Sequence, residues 1–316
     1  MASSNKPRLT TVLLLITALI LVVLLFAGKN NYHLRSLTIA WDSGHIFAFW
    51  LWTHLLLTRW SGMAAQSAWR QIAIYIAIMV LVSVAIEAIQ EAMGRSFSFF
   101  DIRKNIVGCT AAIFITSPVR KQLAGTVRIL FQLVVVVAVI YELIPLGRAT
   151  IDDIIARQQF PVLCSFETPF EKDRWIGPAS LQIDRDISKQ GRASLKLIPT
   201  SMQRTKATLM YMVRDWRGFN YLDLDVYNPK TDMVRFKLGV HDEIYYQNGW
   251  QATDRFVGYF RLNHGWNHLR ILMEEIRTAP EGHEMQLSHI REITIWAWQN
   301  RLPSTIYIDM LKLSPS

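Results

Sequence analysis

Residues 9–28, LTTVLLLITALILVVLLFAG, are twenty consecutive uncharged and mostly apolar residues that follow Lys6 and Arg8. At ~1.5 Å rise per helical residue, such a run matches the ~30 Å hydrocarbon core of a bilayer. A signal peptide is the rival reading. Its apolar core usually holds only ~7–15 residues before a small-residue cleavage site, and no clear Ala-x-Ala follows here. The run therefore reads as an uncleaved span. Candidate spans follow at 43–58, 71–92, 105–119 and 129–147, the first and third of these being short. The expectation is a helical bundle of about five transmembrane spans.

Charge placement orients that bundle. Residues 1–150 carry thirteen Lys/Arg against five Asp/Glu, whereas the remainder carries twenty-one against twenty. The positive excess thus belongs to the apolar half, where it reads as topology. Five spans would put Lys6, Arg8, Arg59, Arg70, Arg120, Lys121 and Arg128 on one side. Lys29, Arg35, Arg95, Arg103 and Lys104 would lie on the other. The richer side is expected to be cytoplasmic, which places the N-terminus in the cytoplasm and the C-terminal half outside an inner (cytoplasmic) membrane. No nucleic-acid motif competes with this reading. The two cysteines, Cys109 and Cys164, lie in different halves and show no zinc spacing.

The texture changes after "RATIDDIIARQQFP" (148–161), a polar stretch expected to be a linker. Beyond it come short alternating runs such as ASLKLI, YLDLDVYN, VRFKLGV and TIYIDMLKL, with NPKTD and NHGWN as turns. Period-2 patterning over strand-length segments predicts an antiparallel β-sandwich. The expected organisation is multi-domain. An α-helical transmembrane bundle (1–147) is followed by the linker and an all-β jelly-roll sandwich (162–316).

Ionisable residues at membrane spans are costly and mark functional candidates. WDSGHIFAF sets Asp42 and His45 three apart, EAIQEAMGR sets Glu87 and Gln90 three apart, and RSFSFFDIRKNIVG sets Asp101 and Asn105 four apart after Arg95. In the five-span topology all three polar helix ends fall on the outer face. One reading is a ligand or catalytic site, in which Asp42 orients His45 for acid/base work, Glu87 and Asp101 share a proton or a metal, and Arg95 grips a phosphate or carboxylate. The other is an ion-pair network that locks three helices together. No nucleophile elbow or HExxH motif is present. The stretches GMAAQ and GCTAA suit close helix packing.

These three elements, in this order, resemble the VanZ-like membrane domain over about residues 10–120, with Ile46 before Phe47 departing from the family's usual pattern. The resemblance implies a cell-envelope setting, the namesake being linked to low-level resistance to the glycopeptide teicoplanin. It implies no particular reaction.

The segments FETPFEKDRW, VRDWRGFNYLDLDVYNP and DRFVGYFRLNHGWNHLRILMEEI resemble jelly-roll domains of the galactose-binding-like and carbohydrate-binding-module kind. Trp216, Phe219 and Trp266 are expected in the core. Trp296 and Trp298 alternate on a strand, with core and binding surface both open. The stretch HDEIYYQNGWQATDRF (241–256) interleaves aromatics with polar residues. It makes Tyr245, Tyr246, Trp250 and Asp242 the candidate saccharide contacts, because ring faces stack on sugars while acids bond their hydroxyls. Related jelly rolls often hold a structural calcium near the first and last strands. Glu167 and Asp309 are its candidate ligands here, although the ion takes roughly 6–8 oxygens.

Two functional readings follow. The first is a membrane protein that binds envelope glycans or glycolipids through its outer sandwich. The second is a membrane-embedded transferase or hydrolase acting on a lipid-linked phosphate or sugar, using His45, Glu87 and Asp101. A scaffold with purely structural polar residues is the third alternative. The expected partners are the bilayer and an envelope or lipid-linked saccharide, not nucleic acid.

Overall fold

The computed structural model describes residues 34–63, 65–200, 205–300 and 302–315, together with Val12, Ile16, Thr17, Leu19, Val22 and Val23. Most of the first expected span therefore lies outside the described residues. The chain divides into two units, one comprising residues 1–32 and 36–147 and the other residues 33–35 and 148–316.

The first unit is helical. Helix α1 spans Arg35–Arg59, α2 Ala68–Ala92 and α3 Phe99–Ala111, which continues as a wider π turn over Ala112–Thr116. Helix α4 runs Gly125–Gln159 and passes into the second unit at Arg148. Ser98 caps α3 by accepting the Asp101 amide at 3.2 Å, the pairing that Ser-x-x-Asp at a helix start encodes. The core of this unit gathers Phe49, Tyr75, Ile113, Phe114 and Val135, with Phe114 stacked on Phe131 at 4.7 Å. Gly108 is where α1 and α3 touch, since a Cβ there would meet the Ile46 carbonyl oxygen at 2.2 Å.

Two helices among the described residues, α2 and α4, are long and apolar enough to cross a membrane, rather than five. Candidate 43–58 lies in α1, where polar and amphipathic side chains dilute the apolar run. Candidate 105–119 is divided among α3, the π turn and a 3₁₀ turn at Pro118–Gln122. With 13 residues, α3 reaches only ~20 Å. The expected linker also differs, because residues 148–159 continue α4 as helix. An aqueous-looking sequence is compatible with helix when each polar side chain finds a partner, as Asp152 does below.

The second unit is an antiparallel sandwich. One sheet has the order β3-β4-β12-β6-β9, with β1 on β12; the other has β2-β5-β10-β7-β8, with β11 on β10. The strands are β1 Val162–Cys164, β2 Trp175–Ile176, β3 Ser180–Asp184, β4 Ser194–Ile198, β5 Thr205–Leu209 and β6 Tyr221–Asn228. They continue as β7 Val234–Asp242, β8 Phe256–Leu262, β9 Gly265–Leu272, β10 Ile290–Gln299, β11 Leu302–Pro303 and β12 Ile306–Ser314. Short helices α5 (Glu243–Gln247) and α6 (Met273–Arg277) follow β7 and β9.

Alternation explains which side chains meet between the sheets. Leu222, Leu224 and Val226 on β6 face Phe236, Leu238 and Val240 on β7, with Ile293 and Ile295 from β10. Strand β12 breaks the alternation at a bulge between Asp309 and Lys312, where Met310 takes φ 43°. Ile306 and Ile308 point inward before the bulge and Leu311 and Leu313 after it. Trp216 is fully buried and Phe219 packs on the core. Trp266 is a correction. It pairs with Tyr227 in the β6–β9 register, ring against ring at 5.3 Å, on the outward row of its sheet.

Candidate functional site

The polar residues singled out in the helical half come together at one end of α1, α2 and α3. His45 Nδ1 lies 3.0 Å from Asn105 Oδ1, and Asn105 Nδ2 donates to Ser83 Oγ at 2.7 Å. Glu87, one turn from Ser83 on α2, accepts the Ser98 amide through Oε2 at 3.0 Å. Its Oε1 is buried and has no hydrogen-bond partner among the described residues. Gln90 is buried, and its carbonyl accepts the Arg95 amide at 3.0 Å, which folds the chain back from α2 toward α3. Asp42 and Arg95 line a cleft of about 580 Å³ with Ser43, Asp101, Lys104 and Glu142. Lys104 lies 3.8 Å from Asp101, and Arg103 reaches Glu142 at 2.6 Å.

The pairs at i, i+3 and i, i+4 share helix faces, which is why the sequence could point to them. Ser83 and Ser98, which bind Asn105 and Glu87, were not among the predicted residues. Ser83 stands four residues before Glu87 on the same face, a weak signal because a hydroxyl in an apolar helix usually bonds its own backbone.

In the sandwich, the predicted saccharide contacts separate by role. Asp242 is fully buried; Oδ1 accepts the Tyr245 amide at 3.0 Å and Oδ2 the Gln286 amide at 2.7 Å. Both oxygens are thus committed to capping α5 and holding a neighbouring loop. Tyr245 stacks on His241 at 4.5 Å. The Tyr246 hydroxyl donates to Glu292, and Arg291 lies over the Tyr246 ring at 4.0 Å. Burial and the Glu292 bond push the Tyr246 phenol well above its usual range. Trp250 is different. It is 67% exposed at φ 65°, edge-on to Tyr246 at the end of α5.

This aromatic ladder leads onto the outward face of the β2–β8 sheet. There Glu292 pairs with His241, Thr294 with Gly239, and Trp296 with Lys237, which itself pairs with Tyr259. From Glu292 to Trp296 the strip is ~13 Å long at the usual strand rise. His241 Nδ1 lies 2.9 Å from Glu292 Oε1. Gly239 leaves the Trp296 and His241 rings adjoining; a Cβ there would meet them at 3.3 and 3.4 Å. The Lys237 ammonium sits 4.4 Å from the Trp296 ring centre and the Lys206 ammonium 5.7 Å. Tyr259 is 71% exposed beside them. Trp296 therefore belongs to a half-buried outer surface, whereas Trp298 on the same row is buried. Sequence reasoning missed Lys206, Lys237 and Tyr259, because only strand register places them beside Trp296.

The candidate calcium ligands both accept backbone amides. Glu167 Oε1 accepts the amides of Arg192 and Ala193 at 2.8 and 3.2 Å. Asp309 accepts those of Lys189 and Gln190 at 2.7 and 2.9 Å, and its own neighbour Met310 at 2.8 Å. Burial pushes the Asp309 carboxyl above the usual carboxylate range, and the amides oppose that shift. Both acids thus pin the β3–β4 loop. No group of three metal-ligating side chains occurs among the described residues.

No family model matches the chain, so the VanZ-like resemblance stands on its three motifs alone. No curated protein matches it either. Among solved structures, it is similar to a family 11 carbohydrate-binding module from Clostridium thermocellum in complex with a β-1,3-1,4-mixed-linked tetrasaccharide. That match has 15% identity over 49% of this chain and 95% of the module, at a TM-score of 0.36. The family 30 module of a cellulosomal cellulase from the same organism matches at 16% identity over 44% and 87%, with a TM-score of 0.34. An exo-β-agarase is 18% identical over 49% of this chain and 25% of the agarase, with a TM-score of 0.39.

Proposed function

We propose that this is a membrane-anchored cell-envelope protein whose sandwich binds glycans on the outward face of the β2–β8 sheet. The observation that carries the proposal is the Trp296 ring, half-buried beside side-chain-less Gly239, with the Lys237 ammonium over it and Tyr259 opposite Lys237 on the next strand. A rigid aromatic face supplies stacking area at low entropic cost, and flanking donors and acceptors fix orientation. Trp250 extends the surface through Tyr246 and Glu292. The membrane part of the reading rests on α2 and α4. With the uncharged run 9–28 taken as a third crossing, the N-terminus is cytoplasmic and the sandwich extracytoplasmic.

The full-length protein in detergent, applied to a glycan array, tests the binding reading. Saccharide binding that falls at least tenfold in Trp296→Ala, with the melting temperature kept, is the expected result. A folded protein that binds no saccharide, or a Trp296→Ala variant that binds like wild type, overturns it. A reporter fused after Ser316 tests the topology, and a cytoplasmic signal contradicts it.

The second reading, an enzyme acting on a lipid-linked phosphate or sugar, is favoured by one observation. The Glu87 carboxylate is buried, with one oxygen that has no partner among the described residues, beside the His45–Asn105–Ser83 chain. An unpaired buried oxygen is costly in a purely structural network. Glu87→Gln and His45→Ala that abolish a cellular phenotype at unchanged detergent melting support it. Loss of phenotype and folding together assigns the cluster to helix locking.

A further inference from the structure

The sandwich unit holds a cleft of about 740 Å³, separate from the Trp296 face, lined by Arg148, Lys172, Arg185 and Arg192, with Arg148 also lying over the Phe170 ring. Phe166, Leu181 and Ile183 provide apolar wall. One acid, Glu167, also lines it, with Oε1 committed to the Arg192 and Ala193 amides.

Both walls are fixed by carboxylates that accept backbone amides. Arg185 and Arg192 lie on the β3–β4 loop, which Glu167 and Asp309 hold through four backbone amides. Gly191 in that loop takes φ 68°, and a Cβ there would overlap Glu167 Oε1 at 2.2 Å. Lys172 lies on a 3₁₀ turn, Glu171–Arg174. Fully buried Glu171 ties that turn to the Ser165, Phe166 and Thr168 amides at 2.7, 2.9 and 3.2 Å. The cations are therefore presented by backbone that is already ordered before any ligand arrives.

We propose that this cleft binds a phosphate-bearing anion. Four cations lining one cleft repel one another, and a multiply charged oxyanion relieves that repulsion while matching the forked geometry of arginine. Arg148 directly follows Leu146 and Gly147, where the apolar stretch 129–147 of α4 ends. In a membrane-inserted helix the next residue sits at headgroup level, where anionic phosphates are presented to basic side chains. A phospholipid headgroup and a free phosphate share this chemistry. The proposal does not depend on glycan binding by the opposite sheet.

The test uses full-length protein in neutral detergent, titrated separately with phosphatidylglycerol mixed micelles and with inorganic phosphate. The comparison is between Arg185→Gln/Arg192→Gln and an equal-charge control, Arg235→Gln/Arg261→Gln, an exposed pair facing each other across β7 and β8 and away from the cleft. Loss of two cleft cations is expected to weaken lipid binding roughly 30-fold, with a far smaller change in the control. Displacement of the lipid by millimolar inorganic phosphate identifies phosphate itself as sufficient; binding of lipid alone identifies the headgroup. Absence of binding to both probes, or equal losses in the cleft and control variants, overturns the proposal. Arg148→Gln/Lys172→Gln repeats the comparison from the other wall if the loop variant melts early.

Discussion

Asp152 and Arg174 are joined by hydrogen bonds of 2.7, 3.0 and 3.2 Å, both side chains being buried. Arg174 also donates to the Leu163 carbonyl at 2.8 Å. The guanidinium is therefore fully engaged by the last turns of α4 and by β1. Removing one partner of a buried pair leaves an uncompensated charge. Asp152→Ala is expected to destabilise the sandwich by about 3–5 kcal/mol, read as a lowered denaturation midpoint. Asp152→Leu/Arg174→Met should lose much less. By the same reasoning, a fragment beginning at residue 148 should melt higher than one beginning at 160, and equal melting contradicts this account.

Glu292 makes stability depend on pH. Burial works to raise its carboxyl, but His241 and the Tyr246 hydroxyl outweigh it and hold the group below its ordinary value of 4.5. A carboxylate with a depressed folded-state pKa contributes stability that is present above its unfolded value and lost as pH falls through the folded one. Wild type should exceed Glu292→Gln in thermal stability at neutral pH, and the two should converge below about pH 4.5. A gap that stays constant into acid contradicts the assignment.

Cys164 is fully buried, and burial pushes its thiol up to about 12. The thiolate is the nucleophile, so the folded protein should resist iodoacetamide at pH 8 and label at this position only after denaturation. Mass spectrometry of the peptide containing Cys164 reads the outcome. Rapid native labelling would show that the β1 region opens locally.

Gly108 tests the helical half. A methyl group there meets backbone atoms, Ile46 O at 2.2 Å and Trp50 N at 2.9 Å, so α1 and α3 must separate. Gly108→Ala should cost about 1–3 kcal/mol and lower the melting temperature in detergent. It should also lengthen the His45–Asn105 contact, which lies within one turn on the same pair of helices.

Much of this organisation is legible in the sequence because it depends on local periodicity. Uncharged runs mark α2 and α4, Ser-x-x-Asp marks the start of α3, and alternation marks β6, β7 and β10. Spacing at i+3 and i+4 also places Asp42 with His45, Glu87 with Gln90, and Asp101 with Asn105, since helix geometry alone brings such pairs onto one face. The polar stretch 148–159 misleads for a related reason. Asp152 has its partner, Arg174, 22 residues away, and composition cannot reveal that pairing.

Other features were decided only by tertiary structure. Strand register sets Lys237 and Tyr259 beside Trp296, and a bulge at Asp309 resets which residues of β12 face the core. Glu167 and Asp309 resemble metal ligands in sequence, yet they close on backbone amides because the β3–β4 loop folds over them. The physical division is one of range. Hydrophobic period and capping are encoded within a few residues. The partner of a buried charge, and the face on which an aromatic emerges, are fixed only when distant segments are brought into register.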